Sequence, residues 1–161
     1  MATNRGKKFE EVVRKAFEKV PDVSIDRIPD QTAGYLGARN ICDFIVYKKP
    51  YEYYIECKSI TGNTFPLSNI TDNQWNGMLE KVKIEGVFAG IICWWVNKGV
   101  TKFLPIEELA RIKIKGAKSI RYDNNEIIDV LIEGKKKVVF YDYDMKKFLE
   151  EMENNYGDNV R

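Results

Sequence analysis

Asp43, Glu56 and Lys58 are the three residues whose types and spacing suit phosphate chemistry. They fall in residues 41–47 and 51–60, the densest run of Ile, Val, Tyr and Phe in the chain. Such runs favour strands, and the Lys48-Lys49-Pro50 break between them reads as the turn of an antiparallel hairpin. With Lys49 and Pro50 as the turn, Lys48 faces Tyr51, and the same register sets Asp43 directly opposite Glu56. Lys58 shares their face by the period of two. Opposed carboxylates with Cβ atoms about 4.5–5.5 Å apart destabilise a strand pair unless something cationic lies between. The set therefore predicts a surface patch for Mg²⁺, with Mn²⁺ as a substitute, because such an ion binds through one or two carboxylates and keeps waters. Cys42, Phe44, Val46 and Cys57 are expected to point the other way, into the core. The competing explanation is an incidental ion pair on a solvated face. A second Glu-x-Lys, Glu133 to Lys135, lies in a polar Glu-Gly-Lys-Lys-Lys stretch and reads as a hairpin loop.

Composition narrows the chemistry further. The chain has no histidine, which excludes Ser-His-Asp and Cys-His nucleophile systems and histidine-held metal sites. Acid–base work falls to carboxylates, Lys or metal-bound water. Cys42, Cys57 and Cys93 have no CxxC spacing and sit in apolar segments, which predicts buried free thiols rather than a disulfide framework or a zinc site. The longest apolar run, residues 87–96, is far shorter than the roughly 20 residues of a membrane span, and residues 1–8 are too polar for a signal peptide. The protein is expected to be cytoplasmic, in a bacterial cell or as a phage protein in its host, with no membrane partner and no nucleotide cofactor.

The elements that must hold these residues follow from periodicity. With 161 residues and no linker or repeat, the chain reads as one domain. Phe9, Val12, Val13, Ala16, Phe17 and Val20 recur at helical spacing until Pro21. Val23 and Ile25 mark a short strand, and residues 29–40 a polar loop. Residues 61–70 read as a second loop. Thr71 and Gln74 form a capping-box pattern that opens a helix to about Glu85, closed by Gly86. Residues 87–96 and 101–104 are strands that pair with each other, and Pro105 starts a short helix through Leu109. Strands near 127–132 and 138–141 and a helix over 144–152 complete an α/β architecture, a mixed sheet flanked by helices. Basic clusters at Arg5, Lys7 and Lys8, at Arg111, Lys113, Lys115, Lys118 and Arg121, and at residues 135–137 suit phosphate tracking or, equally, solvated helix ends and turns.

Asp43, twelve intervening residues, Glu56, one residue and Lys58 on a hairpin after an N-terminal helix resembles the PD-(D/E)xK nuclease superfamily. Asn4-Arg5-Gly6 followed by Glu10 looks like the opening of RecU-type and archaeal Hjc-type Holliday junction resolvases. Phe65-Pro66-Leu67-Ser68-Asn69, with Asp72 and Gln74 after it, is similar to the stretch that follows the Glu-x-Lys in the RecU family. The resemblance spans residues 4–96 and implies a single restriction-endonuclease-like nuclease domain over residues 1–161. It implies that Asp43 and Glu56 hold the metal, that Glu10 completes the acidic cluster, that Lys58 orients the attacking water, and that Gln74 sits beside the site. Glu11 is an alternative to Glu10, whose spacing from Gly6 matches the family. Gln74 is equally explained as the capping partner of Thr71. DNA contacts are expected from Arg5, Lys7, Lys8, Tyr35 and Arg39. The implied activity is Mg²⁺-dependent cleavage of four-way DNA junctions by a homodimer. The alternatives are a nuclease of this fold acting on forks or in a restriction-like role, and a catalytically idle DNA-binding module. RecU proteins carry a long insertion before the catalytic aspartate, whereas residues 29–40 here make only a short loop.

Overall fold

The computed structural model describes residues 2–29 and 40–156. Helix α1 (Ala2–Glu18) buries Phe9, Val13, Ala16 and Phe17, an apolar stripe at helical spacing. Its outer side carries the i,i+4 pairs Glu11–Lys15 and Arg14–Glu18. Strands β1 (Ser24–Arg27), β2 (Phe44–Lys48) and β3 (Tyr51–Ile60) follow. In the β2–β3 hairpin Lys48 faces Tyr51 and Phe44 faces Ile55, the register that the Lys49-Pro50 turn predicts. Next come β4 (Thr64–Pro66), one turn of 3-10 helix (Leu67–Asn69), α2 (Asp72–Lys81), β5 (Val87–Trp95) and β6 (Val100–Pro105). The chain continues through α3 (Ile106–Ile114), β7 (Ser119–Arg121), β8 (Val130–Leu131), β9 (Gly134–Lys136), β10 (Tyr141–Tyr143) and α4 (Met145–Tyr156).

The main sheet has six strands in the order β1-β2-β3-β5-β6-β8. Only β3 and β5 pair in parallel within it, and α2 lies in the crossover that a parallel pair requires. Helices cover both faces. Phe9, Phe17, Phe44, Tyr53, Trp94 and Phe148 join the sheet to α1 and α4, while Tyr54, Trp75, Met78, Trp95 and Leu109 join its other face to α2 and α3. Strands buried on both faces read as continuous apolar runs, which explains β3 and β5. This is the mixed α/β sheet flanked by helices that the periodicity predicts. Among the described residues no helix is long and apolar enough to cross a membrane.

Several elements differ from the sequence expectation. Residues 61–70 are not all loop, since Phe65 of β4 pairs with Ile120 of β7 in a separate two-stranded ribbon. Helix α2 stops at Lys81 instead of near Glu85, and Gly86, at φ +82°, turns the chain into β5. Helix α3 runs on to Ile114 because Ile112 still faces the core. Over 127–132 only Val130 and Leu131 pair as a strand. The Glu-Gly-Lys-Lys-Lys stretch is not a turn: β9 pairs with β10, and the turn falls at 137–140, leaving Val138 and Val139 exposed.

Candidate active site

Asp43 stands one residue before the regular β2–β3 ladder, not on a rung opposite Glu56. Its N–H donates to the Ile55 carbonyl at 3.0 Å, a slip of one residue from the hairpin register, while its carbonyl accepts the Ile28 N–H at 2.9 Å and continues the β1–β2 register. The slip turns Cys42 into the α2/α3 layer, while Phe44, Val46 and Cys57 pack toward α1 and α4. The expectation that all four share a face therefore fails at Cys42. The carboxylates converge nonetheless. Asp43 Oδ2 accepts the Cys57 N–H at 2.9 Å, and the same carboxyl lies within hydrogen-bond reach of Glu10 and Glu56.

Glu56 sits in the middle of the sheet and is only 6% exposed, so the expected surface patch is in fact a largely buried site. Lys58 Nζ approaches Glu56 Oε2 at 3.1 Å. Burial, then the neighbouring Glu56 charge, push the Asp43 carboxyl up to about 6, against the opposite pull of hydrogen bonding with Glu10 and the Cys57 N–H. Burial likewise raises Glu56, and Lys58 offsets part of that rise. Two carboxylates in a shared, partly dry site hold one proton more tightly than either would alone in water. The flanking thiols are not nucleophiles: burial pushes Cys42 up to about 12 and Cys57 well above the ordinary thiol range.

Of the two adjacent helix glutamates, Glu10 is half-buried and reaches Asp43, whereas Glu11 is turned to solvent and paired with Lys15 at 3.0 Å. Gln74 is engaged in the capping box, its Oε1 accepting the Thr71 N–H at 3.0 Å and its own N–H donating to Thr71 Oγ1 at 3.2 Å. Arg5, Lys7 and Lys8 are exposed on α1. Lys7 and Glu10 line one pocket of about 210 Å³ with Glu11, Arg14, Arg27 and Phe44. Arg27, beside Phe44 in the β1–β2 ladder, carries no sequence signal of its own because its neighbourhood is made by strand pairing. Tyr35 and Arg39 lie outside the described residues. In the more distal basic cluster, Arg111 is held by Glu108 and the Glu126 carbonyl, and Arg121 by Asp123.

The donor set fits a divalent cation with oxygen ligands. Among the described residues no three His, Cys, Asp or Glu side chains stand as a ready-made ligand set. Mg²⁺ does not need one, since one or two carboxylates plus water suffice. Asp43 and Glu56 could supply the two, Glu10 adjoins Asp43, and a cation held there would relieve a repulsion that Lys58 offsets only in part.

The sequence profile of RecU, Recombination protein U, matches residues 7–145, a span that includes Glu10, Asp43, Glu56, Lys58 and Gln74. No curated protein matches the chain. Among solved structures, the 1.6 Å structure of Archaeoglobus fulgidus Hjc, a Holliday junction resolvase from an archaeal hyperthermophile, aligns with a TM-score of 0.51 and 18% identity. The alignment covers 72% of this chain and 88% of that one. The two share the restriction-endonuclease-like fold.

Proposed function

The chain belongs to the RecU family of recombination proteins, and from that membership and the carboxylate cluster we propose that it is a Mg²⁺-dependent endonuclease that resolves four-way DNA junctions as a homodimer. One observation carries the chemistry: Glu56, buried and held by Lys58 at 3.1 Å, lies against an Asp43 carboxyl pushed up to about 6. That concentration of negative charge inside a sheet is one that a bound cation would stabilise.

Asp43 and Glu56 would hold the ion, with Glu10 completing the acidic set from α1. When bound, the ion lowers the pKa of water and neutralises charge on the scissile phosphate. The Cys57 N–H fixes the orientation of the Asp43 carboxylate. Lys58, anchored by Glu56 at 3.1 Å, would orient the attacking water and steady the negative transition state. Arg5, Lys7, Lys8, Tyr35 and Arg39 are proposed to meet the DNA backbone, Gln74 to border the site from the first turn of α2. Symmetric cutting of two strands asks for two sites related by a two-fold axis, hence the dimer. Recognition would rest on backbone and shape rather than on base edges.

The test is cleavage of four-way, forked and linear DNA in Mg²⁺ beside Asp43→Ala. The expected result is paired nicks in the junction by the wild type, and junction binding without cutting by the variant. Equal cutting of junction and linear duplex would replace the resolvase reading with a general nuclease. Binding with no cutting in either Mg²⁺ or Mn²⁺ would make the protein an idle DNA-binding module.

A further inference from the structure

The short segment that delivers Asp43 is held from two sides. On one side, Asn40 Nδ2 donates to the Pro29 carbonyl at 2.6 Å and the Ile28 N–H to the Asp43 carbonyl at 2.9 Å, which tie it to the end of β1. On the other side lies α2. Asn73 Nδ2 donates to the Asn40 carbonyl at 3.2 Å, and Gly77, one turn further along the helix, lies directly against Ile41. A Cβ added at Gly77 would come within 2.7 Å of the Ile41 Cβ and nearer still to its Cγ2. The Ile41 Cβ is bonded to the main chain, so a rotamer change cannot relieve that clash. The backbone has to move, two residues from Asp43. Cys42, between them, is buried with its Sγ on the Phe44 carbonyl at 3.3 Å, and leaves little slack to absorb the shift. In a helix interior alanine would serve the helix better than glycine, so what position 77 satisfies is the contact with Ile41.

We propose that α2 is the positioning element of the carboxylate cluster: Gly77 and Asn73 set where Ile41 and Asn40 lie, and through them where the Asp43 carboxylate stands relative to Glu56. The proposal rests on reading that cluster as the metal-holding site of a nuclease. Gly77 and Asn73 are positioning residues, since each acts on the segment through Ile41 or Asn40.

The experiment compares wild type, Gly77→Ala and the double variant Gly77→Ala/Ile41→Gly for Mn²⁺ binding by calorimetry and for Mg²⁺-dependent junction cleavage. A displacement of the order of 1 Å at a reacting group costs about 10²-fold in rate, so Gly77→Ala is expected to lower kcat by about that factor. Its junction affinity should be unchanged and its Mn²⁺ affinity weakened. Replacing Ile41 by glycine removes its Cβ and Cγ2 and makes room for the new methyl, so the double variant should regain both metal binding and rate, a rescue that loss of helix stability would not produce. If Gly77→Ala does not fold, Asn73→Ala, which removes the amide bond to Asn40 without adding bulk, should give a smaller drop in the same two quantities. The inference is overturned if folded Gly77→Ala binds metal and cuts as the wild type does, or if the double variant is no better than the single one. For an unfolded Gly77→Ala, unchanged metal binding and rate in Asn73→Ala overturn it equally. Failure of the wild type itself to bind Mn²⁺ or to cut would instead remove the nuclease reading, and this inference with it.

Discussion

Two Glu-x-Lys tripeptides occur on antiparallel hairpins of this protein, and they do opposite things. Glu56-Cys57-Lys58 lies on β3, inside a six-stranded sheet covered on both faces. Glu133-Gly134-Lys135 runs into β9, in a two-stranded ribbon, and is exposed throughout. The Glu56 side chain is 8% exposed and pairs with its own Lys58 at 3.1 Å, whereas Glu133, 55% exposed, reaches away from Lys135 to Lys147 at 2.6 Å. The shorter pair is the weaker one, because water screens it and two long side chains lose freedom to make it. The longer pair sits where water is scarce and a second carboxylate, Asp43, is at hand, so each charge strongly biases its neighbours' protonation. Residue type and spacing are the same at both places. What covers the strand is what differs.

The largest test of this contrast is catalytic. Asp43→Ala and Glu56→Ala should each remove several kcal/mol of transition-state stabilisation, roughly 10³-fold or more in cleavage rate, while Glu133→Ala should leave the rate unchanged. Single-turnover cleavage of a four-way junction in Mg²⁺ measures all three. A full-rate Glu56→Ala would break the comparison outright.

Stability without metal should divide the two lysines. Lys58→Ala leaves the buried Glu56 charge without its partner and is expected to cost about 2 kcal/mol, below the full penalty of a sealed pair because the lysine is partly solvated. Lys147→Ala should cost less than about 1 kcal/mol. Urea denaturation at neutral pH gives both, and equal losses would mean that burial is not the deciding variable.

The pH response sharpens the same point. The Asp43 carboxyl is pushed from 3.8 to about 6 in the folded protein. A value raised on folding means the native state holds the proton more tightly. Its charge therefore costs stability above about pH 6, and that cost fades below about pH 4, where the group is protonated in both states. Asp43→Asn should stabilise the metal-free protein by about 2 kcal/mol at pH 7.5 and have little effect at pH 4, as read from melting midpoints across pH. Saturating Mg²⁺ should raise the wild-type Tm at pH 7.5 but not that of Asp43→Asn.

The smallest expected effect concerns exposed charge. Arg5→Ala should flatten the log-log salt dependence of junction binding by about one unit if Arg5 meets a phosphate. Lys135→Ala, on the exposed ribbon, should leave the slope as it is. Equal changes in both would point to diffuse attraction rather than a contact made by α1.

Much of the site was legible because its determinants are local. Turn chemistry at Lys49-Pro50 and the two-residue period of a strand set the β2–β3 register, which holds from Lys48–Tyr51 to Phe44–Ile55. The Thr71–Gln74 capping box is as local, and forms as read. Expectation parted from structure where distant segments meet. Strands β4 and β7 are three residues each and carry no periodicity, so only their pairing makes them strands. The slip at Asp43 falls where β2 meets β3 beyond the Phe44–Ile55 rung, and Cys42 before it packs in the opposite layer.

The sequence by itself thus determined which residues could do chemistry, that Asp43, Glu56 and Lys58 share one end of a hairpin, and that no imidazole is available to help them. The tertiary structure alone decided that the carboxylates are buried rather than on a surface patch, that Glu10 and not Glu11 joins them, and that α2 presses on the segment carrying Asp43. The division has one physical reason. Turns, caps and strand alternation depend on neighbours a few residues apart, whereas burial is a sum over contacts from remote parts of the chain. It is burial that raises the Asp43 and Glu56 pKa values and sets these two carboxylates apart from the exposed ones.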